Sequence, residues 1–182
     1  MRRRRQKSQQ GWVWIFLLIM LTLALAYMLY SRQEQSDSVP AEEGSFAVHF
    51  IDVGQADSAL VVCDGHYMLI DGGNAEDSDL VYAYLERNGV KHLDYMVASH
   101  AHEDHIGGLS GALNYAAVDT AFCPVTEYSS KVFRDMVRFL SEQGKSLIVP
   151  EPGEKFSLGS AQVEILGPIQ EYEDTNDTSI VL

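Results

Sequence analysis

The hydrophobic positions of the chain fall into three regimes. Residues 12–30 form 19 consecutive positions with no charge and, apart from the phenols of Tyr27 and Tyr30, one hydroxyl, Thr22. At ~1.5 Å per residue, a helix of that length matches the hydrocarbon core of a bilayer. Residues 31–45 (SRQEQSDSVPAEEGS) contain one Val and no aromatic, the composition of a solvated, flexible linker. From Phe46 onward short apolar runs alternate with turn residues. Strands are predicted at 46–53, 58–63 and 67–71, joined by Gly54-Gln55-Ala56-Asp57 and Asp64-Gly65 into an antiparallel meander. Leu80, Val81, Tyr84 and Leu85 then recur at helical spacing within 79–88, with Ser78 as N-cap and Gly89 just past the end. A strand at 93–98, a short helix at 109–116 and a short strand at 121–123 follow. A second clear helix, 130–143, buries Val132, Phe133, Met136, Val137 and Leu140. Strands at 147–149, 163–166 and 179–182 complete an α/β pattern with helices on an outer face of the sheet.

Charge gives this pattern a direction. The 182 residues hold 13 basic and 26 acidic side chains, net −13. Five of the basic ones, Arg2 to Arg5 and Lys7, precede the apolar run, and no acid precedes Glu34. A positive flank keeps the N-terminus in the cytoplasm and places all that follows outside the cell. The implied order is a basic cytoplasmic tail at 1–11, a single-pass transmembrane signal anchor at 12–30, a linker at 31–45 and a folded domain at 46–182. Ala24-Leu25-Ala26 fits a signal-peptidase site, but the apolar run continues through Tyr30, which favours an uncleaved anchor. Both readings export the domain. Residues 31–182 carry 8 basic against 26 acidic side chains, a net of −18. That balance argues against an extended electrostatic nucleic-acid interface. Cys63 and Cys123 leave two options open, one bridge or two buried thiols, and their apolar surroundings favour the thiols.

The candidate chemistry lies in Ser99-His100-Ala101-His102-Glu103-Asp104-His105-Ile106-Gly107-Gly108, where a strand turns toward a helix. Three of the six histidines and one of the 13 aspartates stand in the fixed order His-x-His-x-Asp-His within six residues, an arrangement expected by chance about once in two thousand such sequences, so scattered surface histidines do not account for it. Imidazole and carboxylate are ligands for borderline divalent ions. His100 and His102 can chelate one ion, and Asp104 and His105 can turn toward a second. His49, His66 and His92 stand alone and read as surface or packed residues.

This segment resembles the H-x-H-x-D-H signature of the metallo-β-lactamase superfamily. Together with Phe50-Ile51-Asp52-Val53-Gly54-Gln55-Ala56-Asp57-Ser58, Leu69-Ile70-Asp71-Gly72-Gly73 and the ending Asn176-Asp177-Thr178-Ser179-Ile180-Val181-Leu182, it is similar to the extracellular hydrolase domain of ComEC-type competence proteins and its stand-alone relatives. Ala56 stands where that family has Gly. The resemblance implies an αββα sandwich, here its N-terminal portion, and one or two zinc ions, with manganese as the alternative. It implies His100, His102, Asp104 and His105 as metal ligands and Asp104 also as the group orienting the nucleophile. Asp71 becomes a carboxylate fixing a ligand histidine, a reading weighed equally against a turn residue before Gly72-Gly73; turn chemistry alone accounts for Asp52 and Asp57.

The superfamily completes its site with a downstream histidine, a Gly-Asp pair and a last histidine, and no histidine follows His105 here. The expectation is a C-terminally incomplete domain that alone binds metal weakly, is inactive, and leaves a sheet face or edge uncovered. The leading functional reading is a membrane-anchored, extracytoplasmic, metal-dependent hydrolase of phosphodiester or ester bonds, of the DNA-uptake nuclease type. A cell-envelope phosphodiesterase or esterase on the same fold, and a non-catalytic interaction module, are the alternatives. The implied partners are the membrane, through the N-terminal helix, and DNA or an envelope phosphodiester as substrate; the sequence leaves oligomeric state open.

Overall fold

The computed structural model describes residues 2–36, 44–170 and 172–182, with side chains of the first helix described over 12–29. It divides into two compact units, Met1–Ser38 and Val39–Leu182. The first unit is one helix, α1 (Arg2–Ser36), whose Trp12–Leu29 stretch is long and apolar enough to cross a membrane and is exposed throughout. Helix α1 runs to Ser36, six residues into the segment read as linker; residues 37–43 of that linker lie outside the described residues. Arg32, Gln33, Glu34 and Gln35 are good helix formers and extend the register of the apolar run.

The second unit starts with the expected meander of β1 (Phe46–Phe50), β2 (Ala59–Cys63) and β3 (His66–Ile70). Cys63 pairs with His66, so Asp64-Gly65 is a two-residue turn, with φ of +52° and +80°. Two positive φ values are what a type I′ hairpin demands, and Asp-Gly meets that demand with little strain. From β3 onward the pairing is parallel, β3-β4-β5-β6, with β4 at His92–Val97, β5 at Ala117–Phe122 and β6 at Leu147–Ile148. Parallel neighbours need crossovers. These are α2 (Ser78–Arg87), the pair α3 (Glu103–Ile106) and α4 (Leu109–Tyr115), and α5 (Lys131–Glu142). Ser130 caps α5, its Oγ accepting from Phe133 N at 3.2 Å. Ser78 is the first residue of α2, not its cap, because a 3-10 turn at Ala75–Asp77 leads directly into the helix.

The sheet has two faces with separate cores. Leu60, Val62, Leu69, Leu93 and Met96 pack beneath Val81 and Leu85 of α2, Leu109 and Leu113 of α4, and Phe133, Met136 and Leu140 of α5. The alternate positions Val61, Cys63, Met68, Val97 and Phe122 pack with Leu158, Ile165 and Ile180. That second layer is a hairpin of β7 (Lys155–Leu158) and β8 (Ala161–Glu164), with Phe156 4.3 Å from the Tyr95 ring centroid. β7 has only Phe156 and Leu158 as alternating apolar positions, too few to stand out in the sequence. The strand expected at 179–182 reduces to one bridge, Gly167 to Val181, because the stretch before it turns back over the histidine segment. Beyond the hairpin, edge strand β1 leaves Phe46, Val48 and Phe50 exposed by 62%, 42% and 85%. Cys63 and Cys123 are free and buried, and burial pushes the Cys123 thiol up to about 11.

Candidate metal and catalytic site

In parallel sheets the carboxyl ends of strands carry the chemistry, since the loops there face a common edge. Asp71 directly follows β3, and Ser99, His100 and His102 follow β4, the strand beside it. Asp104 and His105 ride on α3, a single turn whose N-cap position is His102. The loop expected around them is therefore part helix, which fixes where these two side chains leave the backbone.

Backbone hydrogen bonds weave the Asp57, Asp71 and His102 segments together. Gly73 N donates to Asp57 O at 2.9 Å, Gly72 N to His105 O at 2.7 Å and Gly108 N to Gly73 O at 3.2 Å. Such approach requires glycine. A Cβ on Gly108 would lie 2.0 Å from Gly72 O, and one on Gly107 would lie 2.2 Å from Ala75 N.

Asp71 is 3% exposed and organises the centre. It accepts Ser99 N at 2.7 Å, Ser99 Oγ at 2.6 Å and His105 Nδ1 at 2.8 Å. A turn residue alone would not gather three donors. The hydrogen bond to Asp71 raises the His105 pKa above its ordinary value, and it turns His105 Nε2 toward the cleft. There Nε2 lies 3.8 Å from Asp57 Oδ2 and 3.9 Å from Asp104 Oδ2. Burial, and then the neighbouring His105, lower the His100 pKa, so its imidazole stays neutral and able to ligate.

His100 Nε2 and His102 Nδ1 stand 3.1 Å apart, the two rings edge to face. Two nitrogens each about 2.1 Å from one zinc-type ion are about 3.0–3.4 Å apart, so the pair fits two positions of such an ion in both donor type and spacing. The Asp104 and Asp57 oxygens stand slightly too far from His105 for one ion as placed. Among the described residues, no three His, Cys, Asp or Glu side chains converge closely enough to hold an ion by themselves.

Two clefts open beside this centre. One, of about 390 Å³, runs from Val48 and Phe50 to Asp57, Asp71, His100, His105 and Ser179. The other, of about 950 Å³, is walled by Asp52, Glu76, Asp77, Glu103 and Asp104. His66 and His92 are surface residues paired with Asp94 and Asp119, while His49 is partly buried with no partner for Nε2 among the described residues. The sequence reading missed Ser99, Ser179 and Asn176. Ser99 had a signal, since it abuts His100, whereas Asn176 lies 74 positions from the His102 ring it touches at 3.1 Å.

Comparison with known proteins agrees with this architecture. The family model described as "Metallo-beta-lactamase superfamily" matches residues 51–177. ComE operon protein 3 of Bacillus subtilis is 24% identical over 154 residues, which are 74% of this chain and 20% of that protein. The chain thus spans about a fifth of the length of that curated relative. Among solved structures, the metallo-β-lactamase SMB-1 bound to 2-mercaptoethanesulfonate is 20% identical with a TM-score of 0.50, covering 71% of this chain and 54% of that one. MEM-A1, a subclass B3 metallo-β-lactamase from a soil metagenome, is 17% identical with a TM-score of 0.51, covering 79% and 56%. At these identities the two structures share the fold, over about half of their own length.

Proposed function

The chain belongs to the metallo-β-lactamase superfamily, and from that premise we propose that it is a membrane-anchored, extracytoplasmic hydrolase of phosphodiester or ester bonds that depends on a divalent ion. The observation that carries this reading is the 3.1 Å spacing of His100 Nε2 and His102 Nδ1 beside the Asp71–His105 pair. His100 and His102 would hold one ion, and Asp104 and His105 would face a second, with zinc favoured by the nitrogen donors and manganese the alternative for phosphodiesters. When bound, such an ion supplies Lewis acidity toward water and toward an ester oxygen.

The protein's own groups do the remaining work. Asp104, with its side chain half exposed to the acidic cleft, would accept a hydrogen bond from the attacking water and hold its direction. In the neutral ring Asp71 keeps the proton of His105 on Nδ1, so that Nε2 is the nitrogen with the lone pair. Ser99 links the two histidines to Asp71, its Oγ lying 3.1 Å from His100 Nδ1 and 3.3 Å from His105 Nδ1.

The resemblance to ComEC-type competence proteins, which the 24% identity to ComE operon protein 3 accompanies, supports a role in DNA uptake, with a DNA strand as substrate. The −18 balance of residues 31–182 favours short or locally engaged esters over long polyanion contacts. The Trp12–Leu29 span and the basic residues before it support anchoring with the N-terminus inside. The test is hydrolysis by the membrane-embedded native protein of single-stranded DNA and of phosphorylated wall polymers. Cleavage of DNA that is lost in His102→Ala supports the nuclease reading, cleavage of wall polymer alone points to the envelope esterase, and activity that survives His102→Ala contradicts both. The absence of a three-residue His, Cys, Asp or Glu cluster among the described residues favours a second reading, a non-catalytic interaction module. On that reading neither substrate is cleaved.

A further inference from the structure

We propose that Asn176 supplies a third protein donor, its side-chain oxygen, to the ion held by His100 and His102; this rests on the metal-dependent reading above. The proton accounting around His100 sets the geometry. Ser99 Oγ donates to Asp71 Oδ2 at 2.6 Å, and Ser179 Oγ donates to the Asn176 carbonyl at 2.6 Å. A hydroxyl has one proton, so both are committed. The same two oxygens lie 3.1 and 3.3 Å from His100 Nδ1 and can meet it only as acceptors. His100 therefore carries its proton on Nδ1 and presents a lone pair from Nε2.

That lone pair faces His102 Nδ1 at 3.1 Å, and the same Nδ1 lies 3.1 Å from Asn176 Oδ1. His100 Nε2 and Asn176 Oδ1 are both acceptors turned to His102 Nδ1, whose own role depends on the tautomer of that ring; with the His102 proton on Nε2 the three lone pairs repel unless something positive lies among them. One proton on His102 Nδ1 can point in line at only one neighbour, whereas a divalent ion serves all three. Spacings of 3.1 Å suit donors that share an ion about 2.1 Å away. A carboxamide oxygen is a neutral hard donor, compatible with zinc beside two imidazoles and better still with manganese. It falls outside the His, Cys, Asp and Glu set in which, among the described residues, no three converge.

Asn176 is held for this position before any ion arrives. Its backbone N donates to Asp174 Oδ1 at 2.8 Å, and its carbonyl accepts from both Ser179 Oγ and, at 3.1 Å, Ser179 N. Thr178 Oγ1 closes the same turn onto Thr175 O at 2.6 Å. Ile180 N then bonds Ser99 O at 2.8 Å, docking the turn beside the residue that precedes His100. An ordered turn loses little freedom on binding, which keeps a neutral donor effective.

The test is a calorimetric titration of zinc chloride into the native full chain in detergent and into Asn176→Ala, Asn176→Asp and His102→Ala, each checked for fold by circular dichroism. The expected result is zinc affinity weakened at least about tenfold in Asn176→Ala and regained or exceeded in Asn176→Asp, which keeps the oxygen. In the native chain the Asn176 side-chain 13Cγ resonance should shift in step with zinc saturation. Native affinity in Asn176→Ala together with its loss in His102→Ala overturns the role of Asn176 and leaves the histidine pair standing. Failure of the native chain to bind zinc overturns both. Should Asn176→Ala not fold, zinc binding by Asn176→Asp weaker than native, or an unmoved 13Cγ resonance, overturns the proposal.

Discussion

Asp71 accepts a 2.8 Å hydrogen bond from His105 Nδ1, and it does so from a left-handed backbone conformation, φ +57°. Few residues other than glycine adopt that conformation cheaply, Asn and Asp among them. The carboxylate also takes both donors of Ser99, so its removal strands three partly buried polar groups. Asp71→Ala should cost about 3 kcal/mol, the range for deleting one partner of a buried hydrogen-bonded charge. Asp71→Asn, which tolerates the backbone and keeps one acceptor, should cost less. Urea unfolding of both variants in detergent checks the order, and equal loss would show that the backbone, and not the carboxylate, matters there.

The glycines under the site make a second comparison. Gly108→Ala forces a Cβ to within 2.0 Å of Gly72 O in a layer that has nowhere to move. Gly89→Ala meets open space and suffers only from its φ of +67°. The expected losses are about 3 kcal/mol for the first, from overpacking, and about 1 kcal/mol for the second, from backbone strain. Thermal unfolding of the two variants reads the difference.

Acid sensitivity should trace to Asp64. Hydrogen bonds from Ser160 and Gly44 hold its carboxyl down at about 2, well below the ordinary carboxylate value of 3.8. A depressed folded-state pKa means stability that is complete above the unfolded value and is lost as pH falls through the folded one. Between about pH 4 and pH 2 the native chain should therefore lose stability that Asp64→Asn does not lose, since the amide has no proton to take up. Denaturation midpoints at pH 5, 4, 3 and 2 test this, and parallel declines in both proteins would contradict it.

The edge strand carries a solubility prediction. Phe46, Val48 and Phe50 share one face of β1 with Val61 and Cys63 of β2, yet stand clear of the hairpin that covers those two. An apolar edge strand invites pairing between molecules. Val48→Lys should lower the sedimentation-measured self-association of the detergent-solubilised chain without changing its unfolding midpoint by more than about 0.5 kcal/mol.

Much of this was legible in the sequence for physical reasons. The meander and the two long helices announce themselves by period and by turn chemistry, with Asp64-Gly65 and Ser130 as examples. The histidine segment was legible because its members are close in sequence and at the end of a strand. What could not be read are contacts that depend on the docking of distant segments. Asn176 reaches His102 only because Ile180 pins its turn to Ser99, and Asp64 reaches Ser160 across 96 positions only because two hairpin turns abut. The expected final strand failed for the same reason, since its residues are spent on the site and only Val181 is left to pair. The Ser78 cap failed locally, because Asn74 and Asp77 start a 3-10 turn one step earlier.

The central claim is that His100 and His102 share one divalent ion. Anomalous diffraction at the zinc edge, from crystals of the full chain grown with zinc, locates the ion directly. The account predicts an anomalous peak about 2.1 Å from both His100 Nε2 and His102 Nδ1, absent in His102→Ala. A peak confined to the surface pairs His66–Asp94 or His92–Asp119, or no peak at the histidine segment, would contradict it.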